Sequence, residues 1–368
     1  MRLTPIGFEI IKHFNGEFAI KDIQRSLKDL TGGLNVERDG IVKLIAALDE
    51  NCMLDSPRFR ERIGGPIRQP SCVGSYDADP KKLRSQLRKL FTAPGGAGEP
   101  KPDPLAADTK LRAVLVPHMD YGRGNVTYGW GFKELIDRTD ATVFVIVATS
   151  HYSPHRFTLS RQHFATPLGV AETDQAYVER IVEAYGDGLF DDELAHLPEH
   201  SIELEVVLLQ YLLEKRRSFR IVPLLVGSFG DCVRENRDPS RRRDIARMVK
   251  ALQAAEAGCG EKVCYVISGD LAHIGPKFGD EEPAAGKMLA ASKKRDEAIL
   301  AKLGAADPAA YFETIAGEGD SRRICGLPPT WLTLAAIRPA RGRVLHYQQF
   351  VHPEGHESVS FAAAAFHD

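Results

Sequence analysis

The chain has 368 residues, room for about two domains, and 43% of them are apolar, enough for a sizeable core. With 48 basic against 50 acidic residues the formal charge is −2, which removes any chain-wide electrostatic case for nucleic acid or a membrane surface. Six scattered cysteines with no C-x-x-C pair argue against a disulfide framework and fit a reduced, cytoplasmic setting.

The N-terminus, MRLTPIGFEIIKHFNGEF, lacks a signal peptide's apolar stretch, and no segment approaches the ~20 apolar residues that span a bilayer. Residues 1–63 read as a small unit of their own. Phe8, Ile10, Ile11 and Phe14 open it, and Asn15-Gly16 makes a turn. Ile23, Leu27 and Leu30 have helical spacing, Thr31-Gly32-Gly33 breaks that helix, and Asp39 is placed to cap a second one carrying Val42, Leu44, Ile45 and Leu48. The two-helix pattern resembles peptide-binding winged-helix modules, and it reads equally as a docking element for a protein or peptide partner and as a plain helical appendage packed on the main domain, with DNA binding behind both. Up to Asp55 the segment has seven Lys/Arg against nine Asp/Glu, the wrong balance for phosphate binding.

Residues 92–108, TAPGGAGEPKPDPLAAD, read as a flexible Gly/Pro-rich loop, and with no Gly-Lys-Ser/Thr following they are no phosphate cradle. Beyond it, apolar runs at 111–117, 141–149, 219–227 and 262–270 alternate with helical stretches near 128–137, 174–185, 201–214, 240–257 and 285–303. This alternation predicts an α/β domain, a largely parallel sheet flanked by helices. RVLHYQQFVHP and ESVSFAAAAF read as a closing pair of strands.

The strand ends carry the chemistry. The run at 111–117 leads into His118, the run at 141–149 into His151, and the run at 262–270 closes on Asp270 with His273 three residues on. Ligand sites in open α/β sheets form at the carboxyl ends of strands. One such histidine is usually a local cap, but three strands delivering His, His and Asp/His to one edge predict a site. His155 and His163 read as surface residues in a polar loop. Pro198 interrupts any helix through His196 and His200. Ser201 or His200 can cap the apolar helix that follows, and His200 reads either as that cap or as a group at the site mouth. GRGNVTYG lacks the third glycine of a dinucleotide fingerprint, and neither G-x-S-x-G nor H-E-x-x-H occurs.

Several segments together resemble the Memo family, in the family's order. VLVPHMDYGRGNVTYGW is similar to its "aPHagy-x-ysG" segment, ATSHYSPHRF to its "s/n-H" strand end, and RQHFATPLGVAETD to its "TPLG" stretch. PEHSIELEVVLLQYL, FRIVPLLVG, VISGDLAHIG, ICGLPPTWLTL and ESVSFAAAAF follow in register, and RQPSCVGSYDADPKKLRSQLRKLF resembles the opening. The resemblance covers about residues 66–368 and makes 92–108 an internal loop. Met119-Asp120 and Ser75-Tyr76 depart from the family's small and aromatic residues there.

The resemblance implies a LigB-like fold related to class III extradiol dioxygenases, whose non-haem iron sits on two histidines and a carboxylate. In the Memo-like pattern a cysteine takes the third place, so the implied metal ligands are His118, His151 and Cys325. Asp270, His273 and His200 are the catalytic candidates around them, as acid, base or orienting groups. Iron is the expected metal, with copper or zinc also suited to mixed N/S donors. The expected function is a metal-dependent redox enzyme or dioxygenase acting on a small molecule. The alternative is a non-catalytic metal- or partner-binding module of a multi-protein system. The resemblance also implies bacterial relatives that travel with a radical-SAM protein and an AMMECR-like protein.

Overall fold

The computed structural model describes residues 4–33, 35–101 and 110–368, which fall into two compact units meeting at Gly65/Pro66. The first unit is helical: α1 (Pro5–Ile11), α2 (Ile20–Leu30), α3 (Arg38–Glu50) and α4 (Pro57–Gly64), with no strand among its described residues. Ile10, Ile23, Leu27 and Ile41 form its core, with Phe14, Leu44 and Ile45 packed alongside. Leu30 and Val42, both in the expected helical spacing, are exposed, and on α3 it is Ile41 rather than Val42 that enters the core. Asp39 lies in the first turn of α3, and its N-cap is Glu37.

The second unit is built on an 11-stranded sheet. The strands are β1 (Ile67–Arg68), β2 (Leu111–Val116), β3 (Val143–Thr149), β4 (Phe157–Leu159), β5 (His163–Thr166), β6 (Gly169–Thr173), β7 (Arg220–Val226), β8 (Val263–Ser268), β9 (His273–Ile274), β10 (Arg341–Val351) and β11 (Ser358–His367). Their order is β1-β5-β6-β7-β3-β8-β2-β11-β10, with β4 on β7 and β9 on β11. The central run β6-β7-β3-β8-β2 is parallel, and β11 joins β2 antiparallel. The fold is thus the expected α/β type with a largely parallel sheet. His163 belongs to β5, where its Nδ1 accepts the Thr173 amide at 2.9 Å, so it is not a loop residue.

Both faces of the central strands are buried, which is why they read as unbroken apolar runs. Val143, Val145 and Val147 enter one core, and Phe144, Ile146 and Ala148 the other. The first face is covered by α8 (Gln175–Tyr185), α11 (Arg243–Ala257), α12 (Gly286–Gly304), α13 (Pro308–Ala316) and α14 (Leu327–Ile337), which supply Ile181, Met248, Ile299, Tyr311 and Trp331. The second face is covered by α5 (Pro80–Thr92), α7 (Val126–Arg138) and α9 (His200–Leu213), which supply Leu87, Phe132 and Leu208. Each such side chain, fully buried, contributes roughly 1.5–3 kcal/mol. Short helices α6 (Tyr121–Gly124) and α10 (Gly230–Arg234) follow β2 and β7.

After α5 the chain is irregular but tethered to α7. Trp130 Nε1 donates to Gly95 O (2.9 Å), Lys133 Nζ to Glu99 O (2.9 Å), and Lys101 N to Asp137 Oδ1 (2.7 Å). The expected flexible loop is therefore pinned as far as Lys101, and its remainder, from 102 on, lies outside the described residues. Among the described residues no helix is long and apolar enough to cross a membrane.

Candidate metal centre

Strands β3, β8 and β2 are adjacent and parallel, so their carboxyl ends share one edge. Just past those ends stand His151, Asp270 and His118. A fourth contribution comes from the start of α9, where Glu199 caps the helix by accepting from the His200 and Ser201 amides. This corrects the expected cap, since neither His200 nor Ser201 performs it. The Ser201 hydroxyl instead donates to Thr149 O at 2.7 Å and ties α9 to the end of β3.

Cys325 arrives on the turn before α14. Its position depends on two glycines. A Cβ on Gly269 would meet Gly326 Cα at 2.5 Å, and one on Gly326 would meet Asp270 O at 2.7 Å. The backbones therefore touch, with Gly326 N donating to Asp270 O (2.8 Å) and Asp270 N to Cys325 Sγ (3.4 Å).

His118 is the hub. Its Nε2 lies 3.3 Å from Cys325 Sγ and 3.6 Å from Asp270 Oδ2, and its Nδ1 is 3.4 Å from Ser268 Oγ. Its ring centroid is 5.1 Å from that of His151 and 5.2 Å from that of His200, while His151 and His200 stack at 4.8 Å. Two overlapping donor sets result, His118/His151/His200 and His118/Asp270/Cys325, with the ligand atoms of each within 4.8 Å of one another. The implied triad His118/His151/Cys325 straddles the two, joined at His118. His200 and Asp270, expected as surrounding groups, also stand at ligand range of His118. His273 is one step removed: its Nδ1 is 3.0 Å from both Leu271 O and Arg323 O, which leaves Nε2 free.

Burial dominates the electrostatics. It pulls the His118 imidazole well below its usual range, helped by the neighbouring His151, His200 and His273. Burial likewise brings His200 and His273 down to about 4. These rings are neutral at pH 7, the form in which imidazole binds metals. Burial pushes Asp270 up to about 7. It also pushes the Cys325 thiol well above its usual value, with Asp270 adding to the effect. A thiolate needs positive charge. Arg322 is engaged with Asp296 and Glu318, and Arg323 with Asp280, so a bound cation is the natural source. Donor type, neutrality and convergence all fit a transition metal.

Sequence reasoning missed Glu199, Arg68 and Glu203. Glu199 is buried and accepts from His151 Nδ1 at 2.9 Å and from the His151 amide at 2.8 Å. Burial works against its charge, but bonding to His151 prevails and holds the carboxyl at about 2. Arg68 and Glu203 form a fully buried ion pair. The guanidinium also donates to His196 O (2.8 Å), Leu197 O (3.0 Å) and Glu199 O (2.9 Å), fixing the turn that presents Glu199 and His200. The only sequence sign of this network was its place inside matched motifs. The departures at the site mouth are also explained. Met119 packs on Val359 and Phe361, and Asp120 caps α6 by accepting from Arg123.

A family model described as "Memo-like protein" matches residues 68–366. Similar relatives include several MEMO1 family proteins. One from Aquifex aeolicus is 24% identical, with 99% of this chain and 92% of that protein covered. One from Methanopyrus kandleri is 26% identical over 81% of this chain and 98% of its own length. One from Archaeoglobus fulgidus is 30% identical, covering 68% and 79%. The family model begins after the N-terminal unit, whereas the A. aeolicus match takes in nearly the whole chain.

Proposed function

This chain belongs to the Memo-like family, and from that premise we propose that it is a metal-dependent oxidoreductase with iron held by His118, His151 and Cys325. The observation that carries the reading is the 3.3 Å approach of Cys325 Sγ to His118 Nε2 at an edge where two further imidazoles converge. Held by His118, His151 and Cys325, iron would supply redox chemistry toward a small-molecule substrate and O2. Copper and zinc suit the same mixed N/S donors.

The protein's own groups prepare the site. Glu199 accepts from His151 Nδ1 and leaves Nε2 facing the centre, the outer-carboxylate arrangement that orients ligating histidines. Asp270, whose Oδ2 lies 3.6 Å from His118 Nε2, stands beside the centre where a general acid or base is needed. His273, with Nε2 free, and His200, stacked on His151, complete the polar wall.

A second reading, a partner-binding module, draws on the N-terminal unit. Phe8, Phe18, Leu30 and Met53 are each exposed there and offer apolar side chains to a protein or peptide. The resemblance of its helices to peptide-binding winged-helix modules supports the same role through the helices alone, since the described residues of the unit hold four helices and no strand for a wing.

The test is the metal content and oxygen uptake of the full chain purified without air. Near-stoichiometric iron is expected, with Cys325→Ser losing most of it while stability changes by roughly 1 kcal/mol or less. A protein that binds none of Fe2+, Cu+ or Zn2+ at micromolar concentration overturns the metal centre. Tight binding of redox-inert zinc alone, with no oxygen uptake on iron loading, overturns the redox assignment.

A further inference from the structure

The turn between β10 and β11 carries its own set of donors, away from the centre on His118. The segment His352-Pro353-Glu354-Gly355-His356 places a ligand atom from each of His352, Glu354 and His356 within 4.8 Å of one another. The two imidazole centroids are 5.2 Å apart with planes tilted by 37°. His356 Nε2 lies 2.8 Å from Glu354 Oε2, and the Glu354 amide donates to His352 Nδ1 at 3.2 Å.

The turn is held from several directions. Gly355 N donates to His352 O at 2.8 Å and His352 N to Glu357 O at 2.9 Å. Gly355 adopts φ +72°, a left-handed conformation that glycine takes without strain. The main body grips the turn through Lys277 N to His356 O (3.0 Å) and Ala284 N to Gly355 O (2.8 Å). The nearby Lys277 ammonium is neutralised by Glu357, so it does not guard the turn against a cation. The main chain of the turn is thus held in place, so little backbone freedom is lost on binding. Glu354 and His356 are exposed, so an ion can enter and fill its remaining positions with water.

We propose that His352, Glu354 and His356 form a second metal site, one that takes a zinc-class divalent cation. Two imidazoles and one carboxylate suit Zn2+, Ni2+ or Cu2+, whereas Mg2+ and Ca2+ favour all-oxygen sets. The ion takes over the contact that His356 and Glu354 otherwise share, and the Glu354 amide bond to His352 Nδ1 yields where that nitrogen becomes the ligand. The site fastens the tip of the β10–β11 hairpin. That tip adjoins β9, the strand that starts at His273, since Ser358 and Val359 pair with Ile274 and His273.

The experiment is equilibrium dialysis of the chelator-treated full chain against ZnCl2, comparing the natural sequence with a His352→Ala/His356→Ala variant. The variant is expected to lose about one zinc equivalent and to leave the rest unchanged. Amide exchange across 351–357 is expected to slow on adding ZnCl2 in the natural chain and not in the variant. Glu354→Gln, a milder change, is expected to weaken that one equivalent. Equal zinc stoichiometry in both proteins, or unaltered exchange across the turn, overturns the site. Because these residues lie outside the donor sets on His118, loss at the hairpin and loss at Cys325 are read as separate equivalents.

Discussion

Glu199 grips His151 twice: Oε1 accepts from the imidazole Nδ1 at 2.9 Å, and Oε2 accepts from the main-chain amide at 2.8 Å. The same Oε1 lies 3.3 Å from His200 Nδ1, so one carboxylate sets the direction of two rings. Glu199→Gln keeps the helix cap but removes the charge. Metal affinity is expected to fall roughly 10–100-fold, as for other carboxylates behind ligating histidines, with little change in urea midpoint. Competition against a chromogenic chelator measures this, and unaltered affinity would show that His151 is oriented by something else.

Arg68→Met leaves the Glu203 carboxylate buried with no cation beside it. Removing one partner of such a pair costs about 3–5 kcal/mol. Arg68→Met/Glu203→Leu is expected to recover a good part of that loss, because it deletes both desolvated charges. Urea titration of the three proteins decides it, and a double variant no better than the single one argues that the pair's other hydrogen bonds matter more.

His196 sets a pH dependence. Its imidazole is fully buried with Nε2 at 3.2 Å from Thr158 O and Nδ1 without a partner, and burial brings it down to about 4. The folded value lies below the unfolded value near 6.5, so the folded state binds fewer protons between the two. Its contribution is complete above about 6.5 and is lost as pH falls towards 4, by about 3 kcal/mol at most. His196→Gln is expected to show a shallower fall in urea midpoint between pH 7 and 4.5 than the natural chain. Parallel curves for the two proteins count against a buried neutral His196.

Gly326→Ala is expected to displace Cys325 rather than unfold the domain. The added methyl would press on Asp270 O, and a shift of the turn that relieves this contact carries the adjacent Cys325 with it. The rate of Cys325 modification by a thiol reagent in metal-free protein should rise. An unchanged rate together with unchanged metal affinity would mean that the turn absorbs the methyl elsewhere.

The central sheet was legible because β2, β3, β7 and β8 are buried on both faces and so appear as plain apolar runs. His118, His151 and Asp270 were legible for the same reason, each being a polar residue at the end of such a run. The short strands β4, β5, β6 and β9 were not, since two to five residues carry no usable period. Cys325 was reached through family resemblance alone, as nothing in its local sequence marks a ligand. Glu199, Arg68 and Glu203 act through partners up to some 135 positions away, and no local pattern encodes that separation.

The strand nearest the C-terminal end of the described chain lies inside the sheet. β11 sits between β2 and β10 and also pairs with β9, so it is flanked by the strand leading to His118 and the strand that starts at His273. Neither histidine has its final support until residues 358–367 are in place. During synthesis, β2 therefore waits for some 240 further residues with one edge unpaired, a long exposure for an apolar strand. Assembly of the centre is thus a late, cooperative event in folding, and a nascent chain halted before β11 holds the donors without the geometry.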